Sequence, residues 1–151
     1  PNLHGLLRYP AMMVPCMQAD IIDVILHHKQ GVCRVLDPFV GSGTVMTEAL
    51  IRRLDFTGID INPLAALVCE AKAAIDAGAD IEGAAQAVLS ALRRDVCEEV
   101  DVEFPGRAKW FDDESAIKFS MLRRAIVQVE SQGARKVMWT VFAETVRICS
   151  N

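Results

Sequence analysis

The chain is 151 residues long, 52% hydrophobic and 24% charged, with a formal net charge of −4. That balance excludes a disordered or low-complexity chain and describes one soluble globular domain with room for a core. It also argues against a broad basic face for nucleic acid on this portion, because phosphate binding relies on clustered Lys and Arg.

In chain order, residues 16–29 ("CMQADIIDVILHHK") predict a helix with Met17, Ile21, Ile22, Ile25 and Leu26 inward and Gly31 as its stop. "CRVLD" (33–37) is a short apolar run ending at an acid and reads as a buried strand. Residues 44–54 predict a helix with Val45, Ala49, Leu50 and Leu54 inward and Arg52 and Arg53 in solvent. "FTGID" (56–60) is a second strand, again ending at an acid. Residues 62–78 carry a helix start, Asn62 as N-cap and Pro63 at the first helical position, with Gly78 as the stop. Helical periodicity then resumes at Ile81 and runs to about residue 95 through Ala85, Val88, Leu89 and Leu92. Residues 98–113 read as a connection turning at Pro105-Gly106, followed by helices at 114–131 and 135–149 separated by Gln132-Gly133.

This order opens a parallel α/β sheet and then loses its strands. It predicts residues 1–78 as a βαβα core with a preceding helix and residues 79–151 as the helical continuation of the same, incomplete domain. The five cysteines (Cys16, Cys33, Cys69, Cys97, Cys149) are odd in number and lack a C-x-x-C pair. Buried thiols in a reducing, cytoplasmic setting are the expectation. No apolar run approaches the roughly 18 residues of a spanning helix, and the start lacks a signal-peptide core, so no membrane partner is expected. Pro1 without a preceding Met, and Asn151 in mid-pattern, point to a piece of a longer chain.

"LDPFVGSGTVMTEAL" (36–50) carries the chemistry. A phosphate-cradling P-loop needs a lysine after its last glycine, and none follows Gly43. A dinucleotide turn needs a third glycine where Met46 stands. Asp37, just ahead of the turn, would also repel a pyrophosphate. A ligand with a cationic amino-acid end and a ribose suits the residues better. Asp37 would face the cation, and Asp60, beyond the second strand, stands where an acid can accept from ribose hydroxyls. S-adenosylmethionine has an ammonium, a sulfonium and a ribose diol, and no phosphate.

"DPFVGSGT" together with "GIDINPLA" resembles the cofactor-binding half of the DNA amino-methyltransferases, which methylate N6 of adenine or N4 of cytosine. "RYPAMMVPCMQADIIDVIL" resembles the motif that precedes the first strand in that family. The resemblance covers about residues 8–72 and implies a partial Rossmann-like methyltransferase fold, α/β with a helix-rich second half. It implies S-adenosylmethionine as cofactor, with Asp37 on the methionine ammonium, Phe39 packed beside the cofactor, and Pro38, Gly41, Gly43 and Thr44 forming the turn. Asp60 would hold the ribose, Ile61 would lie against adenine, and Pro10 with Met13 would shape the near wall.

Such enzymes also carry [DNS]-P-P-[YFW], whose aromatic stacks on the flipped base and whose acceptors polarise its amino group. The six prolines here are never adjacent, so no catalytic residue is assigned. This chain alone is expected not to methylate DNA, which it would meet through parts outside this sequence. An RNA amino-methyltransferase, or a split subunit acting as a binding module, are the alternatives. A truncated sheet would also favour a homodimer or a complementing chain at its open edge.

The remaining clusters read as structural. His27-His28 is a solvated helix end rather than a metal site, since neighbours on a helix diverge by about 100°. Asp112, Asp113 and Glu114 are a helix start, Arg123-Arg124 a solvated face, and Trp110 and Trp139 core anchors.

Overall fold

A computed structural model describes residues 5–6 and 12–150. The chain divides into two compact units, Pro1–Ala73 and Ala74–Asn151. It is a helix-rich α/β protein whose described residues contain one two-stranded parallel sheet.

The first unit begins with α1 (Pro15–His28), with Pro15 in its first turn, where a missing N–H costs nothing. β1 (Arg34–Asp37) pairs in parallel with β2 (Asp55–Gly58), in a register that sets Arg34 opposite Asp55 and Asp37 opposite Gly58. Pairing extends beyond both strands. Asp55 N donates to Cys33 O (2.8 Å), Ile59 N to Asp37 O (2.9 Å) and Val40 N to Ile59 O (3.0 Å). The first strand is found within one residue of its expected span, and the second begins one residue early and ends at Gly58. β1 is not the buried strand expected, since Arg34 and Leu36 are exposed.

Between the strands, α2 (Thr44–Ile51) stops three residues earlier than its periodicity predicts. Arg53 adopts φ 56°, and Leu54 N reaches back to Ala49 O (3.0 Å), the closing bond of a left-handed helix stop usually built on glycine. α3 (Pro63–Asp76) starts as expected, with Asn62 Oδ1 accepting from Leu64 N (3.0 Å) and Gly78 at positive φ after its end.

Three burial assignments need correction here. On α1 only Ile22 is buried; Met17, Ile21 and Ile25 are exposed, because 3.6-residue spacing fixes a stripe and not whether anything covers it. Arg52 is not a solvent residue: it pairs with Asp23 (2.6 Å) and Glu48 (2.8 Å) and donates to Ala19 O, tying α1 to α2. Cys16, Cys33 and Cys149 are exposed, and only Cys69 is buried.

In the second unit α4 (Ile81–Arg94), α6 (Asp113–Val127) and α7 (Gln132–Cys149) pack on one another. Their buried apolar residues include Ala84, Val88, Ala91, Ala125, Ile126, Val137 and Met138. Asp80, Asp112 and Ser131 cap the three helices by accepting from Gly83 N, Ser115 N and Ala134 N. The Asp112–Glu114 acids thus form a helix start. Gln132-Gly133, expected to separate helices, lies inside the first turn of α7 because Ser131 takes the cap. The 98–113 connection contains one short helical turn, α5 (Arg107–Trp110), entered through Gly106 at φ 85°. Trp110 is exposed beside Lys109 rather than a core anchor. Trp139 does join an edge-to-face series with Phe142, Phe119 and Phe111, with centroids 5.3–6.0 Å apart.

Candidate functional site

The turn between β1 and α2 is built on two glycines with positive φ, Gly41 (50°) and Gly43 (74°). A Cβ on Gly43 would also stand 2.8 Å from Cys69 Sγ, so both conformation and space require glycine there. Gly43 N closes the turn onto Val40 O (2.8 Å), and the amide and hydroxyl of Thr47 both donate to Gly43 O (2.9 Å each).

Both strand-end acids meet this turn. Asp37 Oδ1 accepts from Phe39 N (3.0 Å). Its Oδ2 is buried and has no hydrogen-bond partner among the described residues. Asp60 Oδ2 accepts from Gly41 N (2.8 Å) and Oδ1 from Asn62 N (2.8 Å). These amide donors, Asn62 first and then Gly41, hold the Asp60 carboxyl below the usual carboxylate range. Each oxygen retains a further lone pair for a hydroxyl donor.

Around the acids lie apolar side chains in solvent. Phe39 is 83% exposed and Ile61 fully so. An exposed phenyl and an exposed sec-butyl beside two carboxylates are costly in isolation and useful against a planar ring. A cavity of about 240 Å³ on the α3 side is lined by Val40, Gly58, Asp60, Ala66, Cys69 and Glu70 among others. Pro38 is exposed at the turn entrance, whereas Thr44 is 1% exposed, with its hydroxyl 3.3 Å from that of Ser42. Met13 is exposed ahead of α1, and Pro10 lies outside the described residues. The structure thus brings Asp37, Pro38, Phe39, Gly41, Gly43, Asp60 and Ile61 to one end of the sheet.

Sequence reasoning missed two residues beneath the turn. Cys69 Sγ approaches Gly41 O (3.8 Å), and Lys72 Nζ donates to Ser42 O (2.7 Å). Burial pushes the Cys69 thiol up to about 11, ahead of the opposing influence of Lys72, and burial lowers the pKa of Lys72. A signal was present: Ala65, Val68, Cys69 and Lys72 follow the i, i+3, i+4, i+7 spacing of one helix face.

Fold and site together define a helix-rich α/β protein with an acid-flanked, lysine-free glycine turn at the carboxyl ends of parallel strands, where such sheets take ligands. The chain is similar to the type II methyltransferase M.MvaI of Kocuria varians, at 28% identity over 160 aligned positions covering 98% of this chain and 34% of the relative. It is also similar to the type II methyltransferase M.MjaII of Methanocaldococcus jannaschii, at 29% identity over 72 positions, 47% of this chain and 13% of the relative. Both relatives are type II methyltransferases, and the chain spans about a third of the length of M.MvaI. No family model matches the sequence, and no solved structure matches it. Among the described residues no helix is long and apolar enough to cross a membrane.

Proposed function

We propose that residues 1–78 form the S-adenosylmethionine-binding part of a DNA amino-methyltransferase with a Rossmann-like methyltransferase fold. The observation that carries this reading is Asp37 Oδ2, a buried carboxylate oxygen without a partner among the described residues, at the mouth of a positive-φ glycine turn. An unpaired buried acceptor is costly, and a ligand ammonium would supply the missing charge-assisted bond. Asp60 would accept from the ribose hydroxyls with the lone pairs its backbone donors leave open, and Phe39 and Ile61 would flank the adenine. Pro38, Gly41, Gly43 and Thr44 would form the close-approach backbone, with Pro10 and Met13 on the near wall.

The bound cofactor would supply an electrophilic methyl group for an exocyclic amine of adenine or cytosine. Nothing in this sequence offers the adjacent prolines and aromatic that would polarise and stack such an amine. The role of this chain is to bind and orient the cofactor, and DNA would be met by other parts of the protein. The chain by itself is inactive on DNA in this reading.

Calorimetric titration of the 151-residue chain with S-adenosylmethionine and S-adenosylhomocysteine tests it. Both bind, and Asp37→Asn, which keeps the shape and removes the charge, weakens binding by about tenfold, about 1.4 kcal/mol. Asp37 is the better site for this test than Asp60, because Asp60 also closes the turn through Gly41 N. A folded chain that takes up neither compound overturns the reading.

A further inference from the structure

Lys72 is 1% exposed and the largest of the fully buried side chains. Lysine is among the side chains least often buried, and an ammonium out of water usually has a carboxylate beside it. Here the described partner is a main-chain carbonyl, Ser42 O, at 2.7 Å. Ser42 lies between the two positive-φ glycines, one residue before the N-cap of α2, Gly43. A cation at a helix N-terminus is electrostatically unfavourable. Burial and the helix dipole therefore both oppose this placement, and gross stability does not account for it.

The turn itself does. Gly41 and Gly43 are the most freely rotating residues the backbone offers, so the peptide units between them have several accessible orientations. They are held from two sides, the end of β2 and α3. Asp60, beyond β2, takes Gly41 N; Cys69 lies against Gly41 O; Lys72, one turn further along α3, takes Ser42 O. A trans peptide keeps its C=O and N–H on opposite sides. Holding the Ser42 carbonyl toward α3 therefore also aims Gly43 N–H, which is found on Val40 O (2.8 Å).

We propose that Lys72 is a positioning residue of the cofactor turn, fixing the Ser42–Gly43 peptide from beneath so that the Gly41–Gly43 backbone is preset for the ligand. This rests on the S-adenosylmethionine reading above. Lys72 does not itself touch the ligand. It removes alternative turn conformations before binding, so less ordering is left for the binding step.

The test is Lys72→Met, which keeps the length and buries no charge. In the 151-residue chain the variant melts no lower than wild type, since replacing a buried charge by an apolar side chain is often neutral or stabilising. Its affinity for S-adenosylhomocysteine falls about tenfold. Without ligand, amide exchange at Gly43 and Thr44 speeds up while amides in the middle of α3 stay protected. In the wild-type chain the Lys72 ammonium nitrogen resonance shifts on titration with S-adenosylhomocysteine, a readout that needs no variant. Unchanged Gly43 exchange with unchanged affinity, or an unmoved Lys72 resonance in a chain that binds, overturns the proposal. A lower melting point with affinity unaltered assigns Lys72 to stability alone and overturns it too. A wild-type chain that binds no S-adenosylhomocysteine overturns the cofactor reading, and the Gly43 exchange still decides whether Lys72 holds the turn.

Discussion

Cys69 lies so close to Gly43 that a methyl group on the glycine would meet its sulfur, and the same thiol approaches Gly41 O. Burial lifts its pKa to about 11, so at pH 8 only about one Cys69 in a thousand is the reactive thiolate. Cys16, Cys33 and Cys149 are exposed. With a water-soluble disulfide reagent at pH 8, these three are modified quickly and Cys69 only on denaturation; mass mapping that finds Cys69 labelled alongside them contradicts the buried position. The sequence places Cys16, Cys69 and Cys149 in similar apolar helical patterns, and the expectation of burial holds for one of the three. Periodicity supplies the phase of a stripe, while coverage depends on what packs against it. The turn residues were more legible than the cysteines. A glycine at φ 74° is a local consequence of residue type, readable from "DPFVGSGT". The bond from Gly41 N to Asp60, nineteen residues away, was not, because the sequence pointed Asp60 only toward ribose hydroxyls. Lys72 was hidden by its charge, since a lysine in an alanine-rich helix reads as solvated until the spacing from Ala65 is followed through it.

At the scale of elements, the strands and helix starts follow from caps, glycines and apolar runs, which act within a few residues. Asn62, Asp112 and Gly78 each act where expected. Long-range polar ties were invisible. Arg124, expected on a solvated face, contacts the 95–101 connection four times. It pairs with Asp95 (2.8 Å) and Asp101, and it donates to Cys97 O (2.8 Å) and Glu99 O (3.3 Å). Arg123 adds a second contact to Asp101 (3.1 Å). A planar guanidinium can serve several acceptors at fixed angles, which an aliphatic side chain cannot. Arg124→Met therefore frees this connection from α6 and makes it a preferred cleavage site. Limited trypsin or chymotrypsin digestion cuts the variant between residues 94 and 111 several-fold faster than wild type. Equal cleavage rates would show that the segment is held by its apolar contacts alone.

The whole chain carries 20 acidic against 16 basic residues, and several acids in both units are held ionised by specific donors. In the first unit the Arg52 side chain lowers the pKa of Asp23, and the amides of Asn62 and Gly41 lower that of Asp60. In the second, the Arg124 side chain lowers that of Asp95, and the Ser115 amide at the start of α6 lowers that of Asp112. All four shifts have one sign. The folded pKa lies below the ordinary 3.8, so above 3.8 each carboxylate contributes its full stabilisation. As pH falls through the folded values the unfolded chain binds more protons than the native one, and that contribution is lost. These four groups therefore leave stability unchanged from neutral pH to about 4 and reduce it progressively below that. Urea unfolding at pH 7, 5, 4 and 3 measures the limb in the wild type and in a variant with Asp23, Asp95 and Asp112 changed to Asn. The variant is less stable at pH 7 and its acid limb is shallower, so the two curves converge as pH drops. Parallel curves would mean that these carboxylates titrate alike in the folded and unfolded chains.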